Sequence, residues 1–142
     1  MSASSGPRMR RIARYVWAGP VSLAALPFVL LGAATGGRAR IHRGVLEAGG
    51  GILKPILVRA VPGFAIGAIT LGHVVLGASA GELEASRAHE RVHVGQYERW
   101  GVLFPLIYVG SSLLALARGR HAYGDNTFER EAYRAGGGIE AA

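Results

Sequence analysis

Within the stretch RAHERVHVGQYERWG, Arg87 to Gly101, two histidines stand four residues apart and a glutamate follows the first directly. The whole chain has only five histidines. On a helix, residues four apart lie on one face, so His89 and His93 can point at a single metal ion. Neutral imidazole nitrogens suit Zn2+, which takes them in tetrahedral geometry with a further protein ligand and an open position for water. Glu90 then projects beside the metal rather than onto it. There it can take a proton from water whose pKa the metal has lowered. Each letter of His-Glu-x-x-His has a chemical role, which makes the pattern more informative than two histidines at helical spacing.

A third protein ligand must come from elsewhere. The chain has no cysteine, so any metal must be held by imidazole and carboxylate. Downstream of His93 stand Glu98, Asp125, Glu129, Glu131 and Glu140. Glu98 is five residues beyond His93, so it points away from the metal face into solvent. Asp125 has the character of a turn or cap residue, and Glu140 lies in the tail. Glu129 and Glu131 remain, in DNTFEREAY. Being two apart on a helix they face different sides, so only one of them can be a ligand.

HERVH together with FEREAY resembles the gluzincin branch of zinc metallopeptidases, with their two histidines on one helix and a glutamate on a later one. Integral-membrane members carry Glu-x-x-Ala-Asp, whose glutamate binds zinc and whose aspartate orients a histidine. Glu129 to Ala132 matches its first four positions, so the resemblance selects Glu129, with Glu131 in reserve. Position five is Tyr133 instead of aspartate, which leaves the orientation of the histidines without its usual partner. The longer strings HERVHVGQYERWG and NTFEREAY also resemble small bacterial zincin-like membrane proteins, over about Gly63 to Arg134. That resemblance implies a strand, AITLGHVVLG, beside the metal and able to pair with an extended substrate. Donors to a developing oxyanion would come from Tyr133, Tyr123, His121, His73 or Tyr97, among which the sequence does not choose. Tyr97 suits packing, and Trp100 and Tyr108 are expected in the core.

These groups need elements to carry them. The length of 142 residues fits one domain. Residues 1–14 are expected to be a flexible basic leader. Tyr15 to Ala34 is twenty residues without a charge, enough to span hydrocarbon, so residues 15–35 are expected to form a transmembrane anchor helix. A cleaved secretory signal and a buried helix are the alternatives, and the arginine distribution favours an inside N-terminus. Residues 36–55, glycine-rich and basic, suggest a linker. Residues 56–136 would form the metal-binding domain. In it, ILVRAVPGFAIGAITLGHVVLGAS reads as short strands, with His73 a partly buried strand residue. A helix is expected from an N-cap at Ser86 to Trp100, with Gly101 closing it. Val102 to Ala117 has the length of a buried core helix, and a last helix starts near Asn126 or Thr127. Residues 137–142 are expected to be a disordered tail. The fold class is therefore α+β: a mostly helical, minimal zincin-like domain with a small sheet or hairpin behind an apolar N-terminal helix.

The net charge is +7, and half the chain is hydrophobic. The arginines at 8, 10, 11 and 14 and at 38, 40 and 43 bracket the apolar stretch, which fits anionic lipid headgroups. The chain has no basic stripe interleaved with aromatics, so nucleic acid is not an expected partner. The expected function is a membrane-anchored, zinc-dependent metallopeptidase-like activity on a peptide or protein. The alternative is a non-catalytic membrane or scaffold protein whose polar residues form a buried network.

Overall fold

A computed structural model of the chain describes residues 5–136. The elements run α1 (Ser5–Ala34), β1 (Arg38–His42), β2 (Val45–Gly49), α2 (Leu53–Arg59), β3 (Ala68–Leu71), β4 (Val74–Gly77), α3 (Ala80–Trp100), a 3-10 turn (Gly101–Leu103), α4 (Phe104–Ala117) and α5 (Thr127–Gly136). The fold is α+β, mostly helical, with one mixed sheet in the order β1-β2-β4-β3. β1–β2 and β3–β4 are antiparallel hairpins, joined by the parallel pairing of β2 with β4.

Side chains alternate across the sheet as the pleat requires. On one face Ala48, Val74 and Leu76 pack with Ala25 and Val29 of α1 and with Leu53 and Leu57 of α2. On the other, Val45 and Val75 meet Leu83 and Val94 of α3. A third cluster, Ala18, Tyr97 and Phe104, with Val21, Tyr108 and Phe128 around it, locks α1, α3, α4 and α5 together. The sheet therefore acts as a splint between α1 and the helix carrying the two histidines.

Several expectations are corrected. Residues 36–55 are not a linker but hold the β1–β2 hairpin and the start of α2. Its two-residue turn, Arg43 and Gly44, has positive φ at both positions (48° and 79°), as a tight hairpin turn demands. The basic leader is helical from Ser5. The first part of the expected strand region, Ile56 to Arg59, lies in helix α2, while AITLGHVVLG does form a hairpin. The helix of His89 and His93 starts at Ala80 rather than near Ser86, because the Ser79 side chain accepts the Glu82 N–H at 3.1 Å and caps it. The segment Val102 to Ala117 is not a core helix: only Phe104 and Ala115 of α4 are buried, and Leu106, Val109, Leu113, Leu114 and Leu116 are exposed. Trp100 is likewise exposed rather than core. The expected tail, 137–142, lies outside the described residues.

Two stretches, Gly6–Ala34 and Ala80–Ala117, are long and apolar enough to cross a membrane. Only 22% and 17% of their most apolar windows are buried within the protein, which argues against both being ordinary core helices.

Two interactions fix α3 against its neighbours. Glu47 on β2 is buried and receives Arg87 Nε and Nη2 at 2.9 and 3.1 Å, with Arg40 Nε at 3.2 Å. Burial alone would raise its pKa, but the two guanidiniums outweigh it and hold the carboxyl below its ordinary value of 4.5. A carboxylate depressed in this way stabilises the fold above its unfolded pKa and stops doing so as pH falls through its lower folded value. Melting temperature should therefore fall below about pH 4.5, and Glu47→Gln should be less stable at neutral pH with a flatter acid limb, measured by thermal unfolding in detergent. At the other end of α3, Gly101 has φ 56° and donates its N–H to Tyr97 O. A Cβ there would lie 2.3 Å from the Trp17 ring. Gly101→Ala should cost about 2 kcal/mol or more from strain and clash together, read from the same unfolding curves.

Candidate metal centre

His89 and His93 sit one turn apart near the middle of α3, and Glu129 lies in the first turn of α5. What brings α5 over α3 is Asn126, fully buried just before it. Its Oδ1 accepts the Phe128 N–H at 2.9 Å and caps the helix, while its Nδ2 donates to Tyr108 O at 3.0 Å and Ser112 Oγ at 2.8 Å on α4. Thr127 N adds a bond to Ser111 Oγ at 3.1 Å. One amide thus starts α5 and pins it to α4.

The three side chains converge. His89 Nε2 lies 3.1 Å from Glu129 Oε2, His93 Nε2 lies 3.3 Å from Glu129 Oε1, and the two Nε2 atoms are 3.1 Å apart. His93 and Glu129 are buried and His89 nearly so. As a set, the three offer ligand atoms close enough together to hold one metal ion. Tyr108 donates to Glu129 Oε1 at 2.6 Å. Burial would push Glu129 up, but the facing imidazoles of His89 and His93 and the Tyr108 hydroxyl outweigh it, holding the carboxyl well below the usual carboxylate range.

The proton on His93 can be assigned from the surrounding bonds. Gln96 Nε2 donates to Phe128 O at 3.1 Å and to Glu131 Oε2 at 2.8 Å. The amide is therefore oriented with its oxygen toward His93, and Gln96 Oε1 meets His93 Nδ1 at 2.7 Å. An oxygen there accepts, so Nδ1 carries the proton, and in the neutral ring Nε2 presents a bare lone pair. That nitrogen faces a carboxylate oxygen and a second imidazole nitrogen, so a proton or a metal ion must lie among the three. Burial would lower the His93 pKa, but the Glu129 carboxylate outweighs it and raises it, so in the metal-free protein a proton is favoured there. His89 has no comparable anchor: its Nδ1 is buried without a hydrogen-bond partner, and its ring is held edge-on by Tyr133, with centroids 4.5 Å apart.

The other anticipated residues divide. Glu90 is buried, and its Oε2 accepts the Thr70 hydroxyl at 2.6 Å, which ties it to edge strand β3. Tyr133 and Tyr123 both flank the cluster, their hydroxyls 3.1 Å apart. Burial, the Tyr133 hydroxyl and the Glu129 charge all raise the Tyr123 pKa, so its phenol keeps its proton. The reserve ligand Glu131 is not part of the cluster; it holds Gln96 and approaches Arg99 at 3.5 Å. His121 is exposed and occupied in a turn, its Nδ1 accepting from Tyr123 N and Gly124 N, while Asp125 Oδ2 accepts the His121 N–H at 2.9 Å. His73 is buried away from the cluster, at the β3–β4 turn. Its Nε2 lies 3.0 Å from Glu98 Oε1, and its ring stacks on Tyr15 at 3.9 Å. Glu98 is accordingly paired rather than free in solvent. Tyr97 packs against Phe104, as expected.

Four contributors escaped the sequence analysis: Gln96, Tyr108, Thr70 and the double role of Asn126. Gln96 had a local signal, standing three residues after His93 on the same helix. Tyr108 and Thr70 had none, because their proximity is created by the tertiary fold.

The chain matches no protein-family model, no curated protein and no solved structure. Geometry and chemistry alone therefore carry the functional conclusion.

If Gln96 sets the tautomer of His93, Gln96→Leu should weaken binding of added zinc about 10- to 100-fold while leaving helical content unchanged. Isothermal titration and circular dichroism read the two effects separately.

Proposed function

We propose that the chain is a membrane-held, zinc-dependent hydrolase of peptide bonds, of gluzincin type, with His89, His93 and Glu129 as its metal ligands. One observation carries this reading: three side chains from two helices converge, with the two Nε2 atoms 3.1 Å apart and each 3.1 or 3.3 Å from one of the Glu129 carboxylate oxygens. Ligand bonds of the length zinc makes to nitrogen and oxygen, at tetrahedral angles, set neighbouring ligand atoms about 3.3 Å apart. The donor set fits as well, since imidazole and carboxylate are ligands zinc accepts, and three protein ligands leave a fourth tetrahedral position for water.

Zinc held there supplies Lewis acidity, lowering the pKa of a coordinated water toward neutrality. The residues supply the rest. Glu90, oriented by Thr70, is the base that accepts the proton from the attacking water and returns it to the leaving amine. Tyr123, which keeps its hydroxyl proton, and its hydrogen-bond partner Tyr133 are the donors for charge developing on the substrate carbonyl oxygen. Edge strand β3 offers unpaired backbone groups on its outer side for an extended substrate. The bare apolar residues of α1 and α4 sit in lipid, so a substrate near the membrane surface is favoured.

Purified protein should contain one zinc per chain by elemental analysis. His93→Ala should lose it. Glu90→Gln should retain the metal and lose hydrolysis of a fluorogenic peptide library by about a hundredfold or more. A zinc-free parent protein would instead leave His89, His93 and Glu129 as a structural hydrogen-bonded network, and loss of zinc from Glu90→Gln would overturn its assignment as base.

A further inference from the structure

The basic end of α1 borders a cavity of about 700 Å³ on the side of the helix that faces the rest of the protein. Arg10, Arg11, Arg14, Arg43, Tyr15 and Glu98 line it. Four guanidiniums therefore meet one carboxylate, and that carboxylate is already engaged by Arg14 at 3.3 Å and His73 at 3.0 Å. Arg10, Arg11 and Arg43 have no ion pair among the described residues. Converging like charges repel, so the arrangement calls for an anion.

Arg43 is not there by default. It is the one described non-glycine residue with positive φ, at 48°. Arg91 Nη1 holds its carbonyl oxygen at 3.1 Å, and Tyr15 donates to the Gly44 carbonyl at 2.6 Å. Tyr15 thus ties this turn to α1 and Arg91 ties it to α3, which fixes the backbone that carries Arg43 into the cavity wall. Planar guanidiniums bind phosphate in bidentate fashion, better than any other side chain.

The surroundings specify what carries the phosphate. Along α1, Trp17, Phe28 and Leu31 continue the side of the helix that bears Arg10 and Arg14, at successive intervals of four, three, eleven and three residues. All three are exposed. The ligand is thus anionic at one end and apolar at the other. We propose that this cavity binds the phosphate of an anionic phospholipid, whose acyl chains run along that exposed side of α1. The site shares no residue with the metal ligands, so its test does not depend on zinc or hydrolysis.

The test is a thermal-shift titration of the full chain in neutral detergent with phosphatidylglycerol, phosphatidylcholine or inorganic phosphate. Phosphatidylglycerol should stabilise at lower concentration than phosphatidylcholine, and inorganic phosphate should not reproduce the effect. The variant Arg10→Gln/Arg43→Gln should raise the half-saturating phosphatidylglycerol concentration about thirtyfold. Arg118→Gln/Arg120→Gln, with the same net charge but changed far along the chain, should stay within about twofold of the parent. Both cavity arginines are exposed, so the lipid-free melting temperature serves as the folding control. Native mass spectrometry, which counts bound lipid directly, gives the same comparison if that temperature moves. Equal response to both lipids, or equal loss in both double variants, would overturn the proposal in favour of diffuse attraction. Full stabilisation by inorganic phosphate would overturn the lipid assignment.

Discussion

Two imidazole nitrogens and a buried carboxylate, drawn within 3.1 to 3.3 Å of one another, are the arrangement on which the rest of the structure depends. It needs a proton or a metal ion among the three, because lone pairs so close would otherwise repel with little water to screen them. Everything around it keeps it in place. Gln96 fixes the proton on the far side of His93, Tyr108 holds the carboxylate of Glu129, and Asn126 holds the helix that carries Glu129. These are three separate devices on three elements, and none of them touches solvent freely. Spending that many buried polar groups on a site in so small a protein is costly unless a cation repays them.

The sheet serves this site indirectly. It is only four strands of four or five residues each, too small to form a lobe of its own. Its work is to hold α3 at a fixed angle between Leu83 and Val94 on the apolar side and the Glu47–Arg87 pair on the polar side. Its edge then delivers Thr70 to Glu90. The other face is closed by α1, so the apolar N-terminal helix is part of the domain along one side and bare along the other. A helix built this way cannot swing on a linker; its position is coupled to α3 through Ala18, Tyr97 and Phe104.

Much of the candidate site was legible in the sequence because it is local. The i, i+4 spacing of His89 and His93 survives any tertiary arrangement that keeps them helical. The choice of Glu129 over Glu131 came from a resemblance and agrees with the geometry, which sends Glu131 to Gln96. Less was legible wherever contacts are distant. His73 and His121 were plausible donors by type, yet one is captured by Glu98 and the other by its own turn, and neither pairing leaves a local trace. The β1–β2 hairpin was read as a linker because its glycines and arginines mimic one; the turn signal lay in Arg43-Gly44, where an arginine takes a conformation usually left to asparagine or glycine. Val102 to Ala117 was placed in the core for its apolarity alone. Apolarity says that a helix avoids water, and it does not say whether protein or lipid takes water's place.

The most direct measurement of the central claim is zinc-edge X-ray absorption on the purified chain, which counts and identifies the atoms around the metal. The account predicts two imidazole nitrogens and carboxylate oxygen at about 2.0–2.2 Å, with one imidazole lost in a His93→Ala protein. A shell made only of oxygen, or one unchanged by that substitution, would contradict it.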